Sequence, residues 1–94
     1  AYTENLRNRL PELISKFNVK KILDAPCGDF NWMRHVMEKI DIFYIGADIV
    51  PELIEENKKR NQNPVIQFCT MNILKDRLPK ADVWVCRDCV FHFS

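Results

Sequence analysis

Apolar positions along the chain alternate between a helical spacing and short unbroken runs. Leu6, Leu10, Leu13, Ile14 and Phe17 follow one another at steps of four, three, one and three, which places them on one helical face. Thr3 is placed to cap that first helix. Pro11 falls inside the pattern, so residues 1–18 are expected to form two short helices or one kinked helix. The runs "KKILD" (20–24), "IFYIGAD" (42–48), "VIQFC" (65–69) and "DVWVC" (82–86) are mostly apolar without clean alternation, as expected for strands covered on both faces. Between the first two runs, Trp32, Met33, Val36, Met37 and Ile40 make a second helical stripe, with Asp29 and Asn31 as candidate N-caps. "PELIEENKKRNQN" opens on Pro51, suited to a first helical turn, and carries acids early and bases late, the order that suits the helix dipole. "NILKDRLPK" reads as a loop or one helical turn, and "RDCVFHFS" as the start of a further helix.

Strands alternating with helical segments predict an α/β, Rossmann-like fold. It would have a parallel sheet of about four strands, right-handed crossovers and helices on both faces. The 94 residues suffice for one small domain. The fourth strand would end as an open sheet edge, an invitation to self-association.

Composition narrows the partners. A net charge of +1 gives no polyanion-binding surface, so nucleic acid is not favoured. No apolar run approaches a membrane span, and the polar "AYTENLRNRL" is unlike a signal peptide. Cys27, Cys69 and Cys86 lie in or beside strand-like runs, so buried free thiols of a cytoplasmic protein are expected over a disulfide framework.

In an open parallel sheet, ligands bind at the carboxyl ends of the strands, near the point where strand order reverses. Those ends here are residues 24–31, 48–51, 70–74 and 86–92. Asp24 and Asp48 stand about one strand-and-helix unit apart, and an acid ending the second strand can accept from both hydroxyls of a ribose. Gly28 lets backbone approach a ligand. Asn72 can donate and accept, which suits an adenine edge, though a turn role fits it equally.

With those residues in place, the chain resembles a class I S-adenosylmethionine (SAM)-dependent methyltransferase. "KKILDAPCGDFN" is similar to the family's first motif, "YIGADIVPELIEENKKR" to its second strand and helix, and "FCTMNILKDRLPKADVWVCRDCVFHFS" to the third and fourth strands with their loops. The likeness runs from about Lys20 to Ser94, and a full family member continues through about three more strands. It implies SAM as cofactor and methyl transfer as the reaction, with the acceptor unnamed. It further implies that Asp24 organises the loop near the methionine amino group, that Asp48 holds the ribose, and that Ile49 packs on the adenine. Asn72 and the backbone N–H of Ile73 would meet the adenine edge, and Arg87 would lie near the methionine portion.

Two positions depart from the motif. Pro26 stands where the family has its first loop glycine and has no N–H to donate. Phe30 replaces a later glycine; it is expected to crowd a ligand unless the loop takes a negative-φ path, and a positive φ there would be strained. An NAD(P)-dependent oxidoreductase also carries a strand-end acid, but the G-x-G-x-x-G fingerprint is absent. A non-catalytic Rossmann-like interaction module is the third class. Cys86, Cys89 and His92 form a C-x2-C-x2-H pattern compatible in type with zinc, but Cys86 ends an apolar strand and the usual second ligand pair is missing, so no metal is expected. His92 alone fits a general base or a packed histidine.

Overall fold

The computed structural model describes the backbone of residues 2–86 and 89–92, and side chains over 9–31 and 33–86. Three helices and five strands follow one another as α1 (Tyr2–Lys16), β1 (Lys21–Asp24), α2 (Asn31–Met37), β2 (Phe43–Asp48), α3 (Pro51–Arg60), β3 (Ile66–Thr70), β4 (Val83–Cys86) and β5 (Cys89–His92). They form one sheet of order β3-β2-β1-β4-β5. The pairs β1–β2, β1–β4 and β2–β3 are parallel, and β5 runs antiparallel to β4. The strand order therefore reverses between β1 and β4, which makes the carboxyl end of β1 the switch point.

Sequence periodicity located the four parallel strands to within a residue or so. It misread the last segment. Residues 89–92 form a strand, not a helix, with Cys86 paired to Cys89 and only two residues between. A short aromatic and β-branched run directly after a strand makes a hairpin more readily than a helix. The outer side of β4 is thus taken by β5 and is not the open edge expected. α1 is a single helix through Pro11, with Thr3 inside it rather than before it.

The layers also differ from expectation. Leu10 and Ile14 of α1, Met33 and Val36 of α2 and Ile54 of α3 all pack in one core with Ile22, Tyr44, Phe68 and Val85 of the sheet. Among the described residues the three helices therefore share one face. α2 and α3 must do so, because β1-to-β2 and β2-to-β3 step in the same direction and right-handed crossovers then return on the same side. The step from β3 back to β4 reverses direction, and its connection lies on the other face. There Leu78, Ala81 and Ile73 cover Leu23, Ile45 and Trp84 without a helix.

Two features fix β1 against its neighbours, one at each end. Asp82 Oδ2 accepts from the backbone N–H groups of Lys20 (2.8 Å) and Lys21 (3.0 Å), joining the start of β1 to the start of β4. Gly46, beside Asp24 in the β1–β2 register, has no side chain because a Cβ there would lie 2.7 Å from Phe68 Cδ1 and 2.9 Å from Tyr44 Cε1. That close approach is where Phe30, Tyr44 and Phe68 stack, with ring centroids 4.8 to 5.9 Å apart.

Candidate functional site

A cleft of about 730 Å³ opens at the carboxyl ends of β1, β2 and β3. Its size suits a small-molecule ligand. The β1–α2 turn contributes Pro26 through Asp29, the end of β2 contributes Asp48 and Ile49, and the segment after β3 contributes Met71 through Leu74. Of the residues singled out from sequence, the structure thus brings Pro26, Gly28, Asp48, Ile49, Asn72 and Ile73 together. Asp24 is not on the cleft surface, and Arg87 lies outside the described residues.

The β1–α2 turn is held by its neighbours. Ala25 N–H donates to Val85 carbonyl (3.0 Å), Trp84 Nε1–H to Ala25 carbonyl (2.9 Å), and Cys27 N–H to Ala47 carbonyl (2.8 Å). Gly28 sits at φ +57°, the left-handed region that glycine enters at least cost, and a Cβ added there would meet nothing within 4 Å. The Gly28 peptide groups are tied on both sides. Its N–H donates to Asp48 Oδ2 (3.1 Å), and its carbonyl accepts from Asn57 Nδ2 (2.7 Å).

Phe30 takes the positive-φ path, at φ 63° and ψ 15°, contrary to the negative-φ alternative. An L-residue there costs about 1–2 kcal/mol. The ring is only 2% exposed and packs on Tyr44 and Phe68, and full burial of a phenylalanine contributes about 1.5–3 kcal/mol, enough to offset the strain. The side chain therefore turns into the core and does not crowd the cleft. Phe30 also occupies the N-cap position of α2, where neither Asp29 nor Asn31 was found. Asp29 still serves the helix start, since its Oδ1 accepts from Asn31 N–H (3.0 Å).

Asp48 is buried at the cleft floor. Its Oδ1 accepts from Val50 N–H (3.0 Å) while Oδ2 holds Gly28. Each carboxylate oxygen has a second lone pair, so the group retains acceptor capacity. Asn72 makes a turn: its Oδ1 accepts from Leu74 N–H (3.0 Å), and its own N–H donates to Asp76 Oδ2 (2.7 Å). The turn role and a cleft position therefore coincide in this residue, whose Nδ2 has no hydrogen-bond partner among the described residues. Ile49 and Leu74 are exposed at the mouth of the cleft, Leu74 to 91%.

Asp24 lies behind the turn, 3% exposed, with Oδ2 accepting a 2.6 Å hydrogen bond from the Tyr44 hydroxyl. Burial pushes its carboxyl up to about 7; the Tyr44 bond works against that rise and the Asp48 charge adds to it. Cys27 is pushed up to about 12, chiefly by burial, with Asp24 and Asp48 adding. It is an inert thiol rather than a nucleophile. Cys27, Cys69 and Cys86 are free.

The C-x2-C-x2-H pattern is spread along the β4–β5 ladder. Cys86 pairs with Cys89, but His92 pairs with Val83, three residues along the ladder, or about 10 Å at roughly 3.3 Å per residue. The side chains of Cys89 and His92 lie outside the described residues, and so does a base role for His92. Met33 and Met37 are core residues, as expected, and Trp84 is half-buried.

Two supporting residues escaped the sequence reading. Tyr44 was one apolar position among several in the second strand. Asn57 stands three residues after Ile54, on the buried face of α3. A polar amide at a core-facing helical position was the available signal.

No protein-family profile matches the chain, and no curated protein sequence does. Solved structures do. PKMT2 from Rickettsia typhi, in complex with AdoHcy, overlaps at a TM-score of 0.60 and 25% identity, covering 71% of this chain and 14% of that one. Human N-acetylserotonin methyltransferase, in complex with SAM, overlaps at a TM-score of 0.64 and 21% identity, covering 92% of this chain and 29% of that one. The chain thus spans under a third of either protein. With the parallel strand order and the cleft at its switch point, these overlaps show that the chain has the fold of class I SAM-dependent methyltransferases.

Proposed function

We propose that this chain is the cofactor-binding part of a cytoplasmic SAM-dependent methyltransferase, with the cleft at the β1, β2 and β3 ends as the SAM site. The observation that carries this reading is the convergence of the Gly28 turn, the Asp48 carboxylate and the apolar Ile49 and Ile73 side chains on one cleft. These residues fit the group. Asp48 would hold the ribose hydroxyls through its remaining lone pairs, and Ile49 and Ile73 would pack on the adenine. The methionine end runs along the turn from Pro26 to Asp29, where Gly28 presents no side chain. When bound, SAM supplies a methyl group on a sulfonium sulfur for transfer to a nucleophilic O, N or C of an acceptor. The contribution of the residues is alignment and exclusion of water, so no covalent nucleophile is required. Asp24 lies behind the turn on the methionine side and supports it without lining the cleft. Arg87 is assigned to that side by resemblance alone.

A dinucleotide is the less supported ligand. Its pyrophosphate needs loop N–H donors. Pro26 has none, and that of Gly28 is already given to Asp48.

Calorimetry with SAM, S-adenosylhomocysteine and NAD tests the reading. SAM and S-adenosylhomocysteine are expected to bind. Binding of NAD alone would sink it, and absence of all three from a folded chain would favour an interaction module.

A further inference from the structure

We propose that Asn57 is a positioning residue for cofactor binding: its buried amide fixes the Gly28 carbonyl and with it the path of the turn along the cleft. The inference rests on the reading of that cleft as a SAM site.

Asn57 is 1% exposed and lies on the inner face of α3, one turn after the fully buried Ile54. An apolar residue would serve packing better there, since a buried amide is costly unless its groups are bonded. Its Nδ2 makes one short bond, 2.7 Å to Gly28 carbonyl, and a long contact of 3.9 Å to Cys27 Sγ. No hydrogen bond to its Oδ1 is found among the described residues. The amide is therefore incompletely satisfied, a poor arrangement for stability alone. What it does achieve is specific. Asp48 holds the Gly28 N–H and Asn57 holds the Gly28 carbonyl. With both polar groups engaged, neither flanking peptide can rotate without breaking a bond. Gly28 is the residue most in need of such restraint, having the widest conformational freedom.

The test uses the full chain and SAM, with calorimetry for affinity and circular dichroism for folding. Asn57→Leu removes the donor at similar volume. It is expected to stay folded and to bind SAM about tenfold more weakly. Asn57→Asp retains the shape but donates only when protonated. Burial raises a carboxyl at this position above the ordinary aspartate range, so the variant's affinity is expected to be higher at about pH 5.5 than at about pH 8.5, a gain judged against the wild-type profile, in which Asp24 titrates at about 7. Should Asn57→Leu fail to fold, the pH profile of Asn57→Asp decides. Unchanged affinity in folded Asn57→Leu, or a wild-type pH profile in Asn57→Asp, overturns this inference alone. A wild-type chain that binds neither SAM nor S-adenosylhomocysteine overturns the cofactor reading, and this inference with it.

Discussion

The Tyr44 hydroxyl donates a 2.6 Å hydrogen bond to Asp24 Oδ2, and both side chains are almost completely buried. The two residues are neighbours by register: β1 and β2 pair in parallel, with Ile22 opposite Tyr44 and Asp24 opposite Gly46. The missing side chain at Gly46 leaves the space that the Tyr44 and Phe68 rings fill. The bond favours the ionised carboxyl, while burial disfavours it more strongly. Tyr44→Phe keeps the ring packing and removes only the donor. It is expected to cost about 1–3 kcal/mol in denaturant melts, the usual cost of orphaning a buried polar partner, and to raise the Asp24 titration further. A carboxyl-resolved NMR titration unchanged by this substitution would refute the coupling.

The raised Asp24 titration has a signed consequence for stability. The folded-state value of about 7 stands above the ordinary 3.8, so between them the native state holds a proton that the unfolded chain has released. Stability from this group is complete below about pH 4 and is lost as pH rises to about 7, on the order of a few kcal/mol. Asp24→Asn is expected to flatten that part of the stability profile. Urea midpoints measured from about pH 4 to about pH 8 in the two proteins give the comparison, and parallel profiles would contradict it.

Gly46→Ala is a packing test of the same cluster. The added methyl would meet Phe68 and Tyr44 ring atoms below 3.0 Å, so both rings must move. A loss of about 1–3 kcal/mol is expected. Gly28→Ala differs in kind. Space is open around that position, and only the positive φ penalises a side chain, so a loss of about 1–2 kcal/mol without repacking of the core is expected.

Asp48 cannot be assigned a ribose role from Asp48→Ala alone, because that change also releases the Gly28 and Val50 N–H groups. The ribose share is isolated by a cycle. Adenosine is expected to bind the wild type more tightly than 2′,3′-dideoxyadenosine, and the difference is expected to shrink in Asp48→Ala. An equal difference in both proteins would place the hydroxyls elsewhere.

Much of this was legible in the sequence, for identifiable reasons. Buried parallel strands leave short apolar runs, and those around Ile22, Tyr44, Phe68 and Val85 were found with small boundary errors. Strand-end acids are visible because Asp24 and Asp48 each close such a run. What escaped depends on three-dimensional balance. Phe30 at positive φ is tolerable only because its ring finds Tyr44 and Phe68, which no local rule anticipates. The single-faced helix layer follows from strand order, which spacing does not encode. The β5 hairpin was missed because four residues of mixed polarity fit either period. Asn57 was visible only as a polar residue on a face that had not yet been assigned to the core.

The central claim is that the cleft between the Gly28 turn, Asp48 and Ile73 receives SAM. The most direct measurement is an amide NMR spectrum of the chain titrated with SAM and, separately, with NAD. SAM is expected to shift the resonances of Gly28, Asp29, Ile49 and Ile73 while leaving those of the distant β3 entry, such as Asn63 and Val65, in place. Shifts at that cleft with NAD and none with SAM would contradict the account.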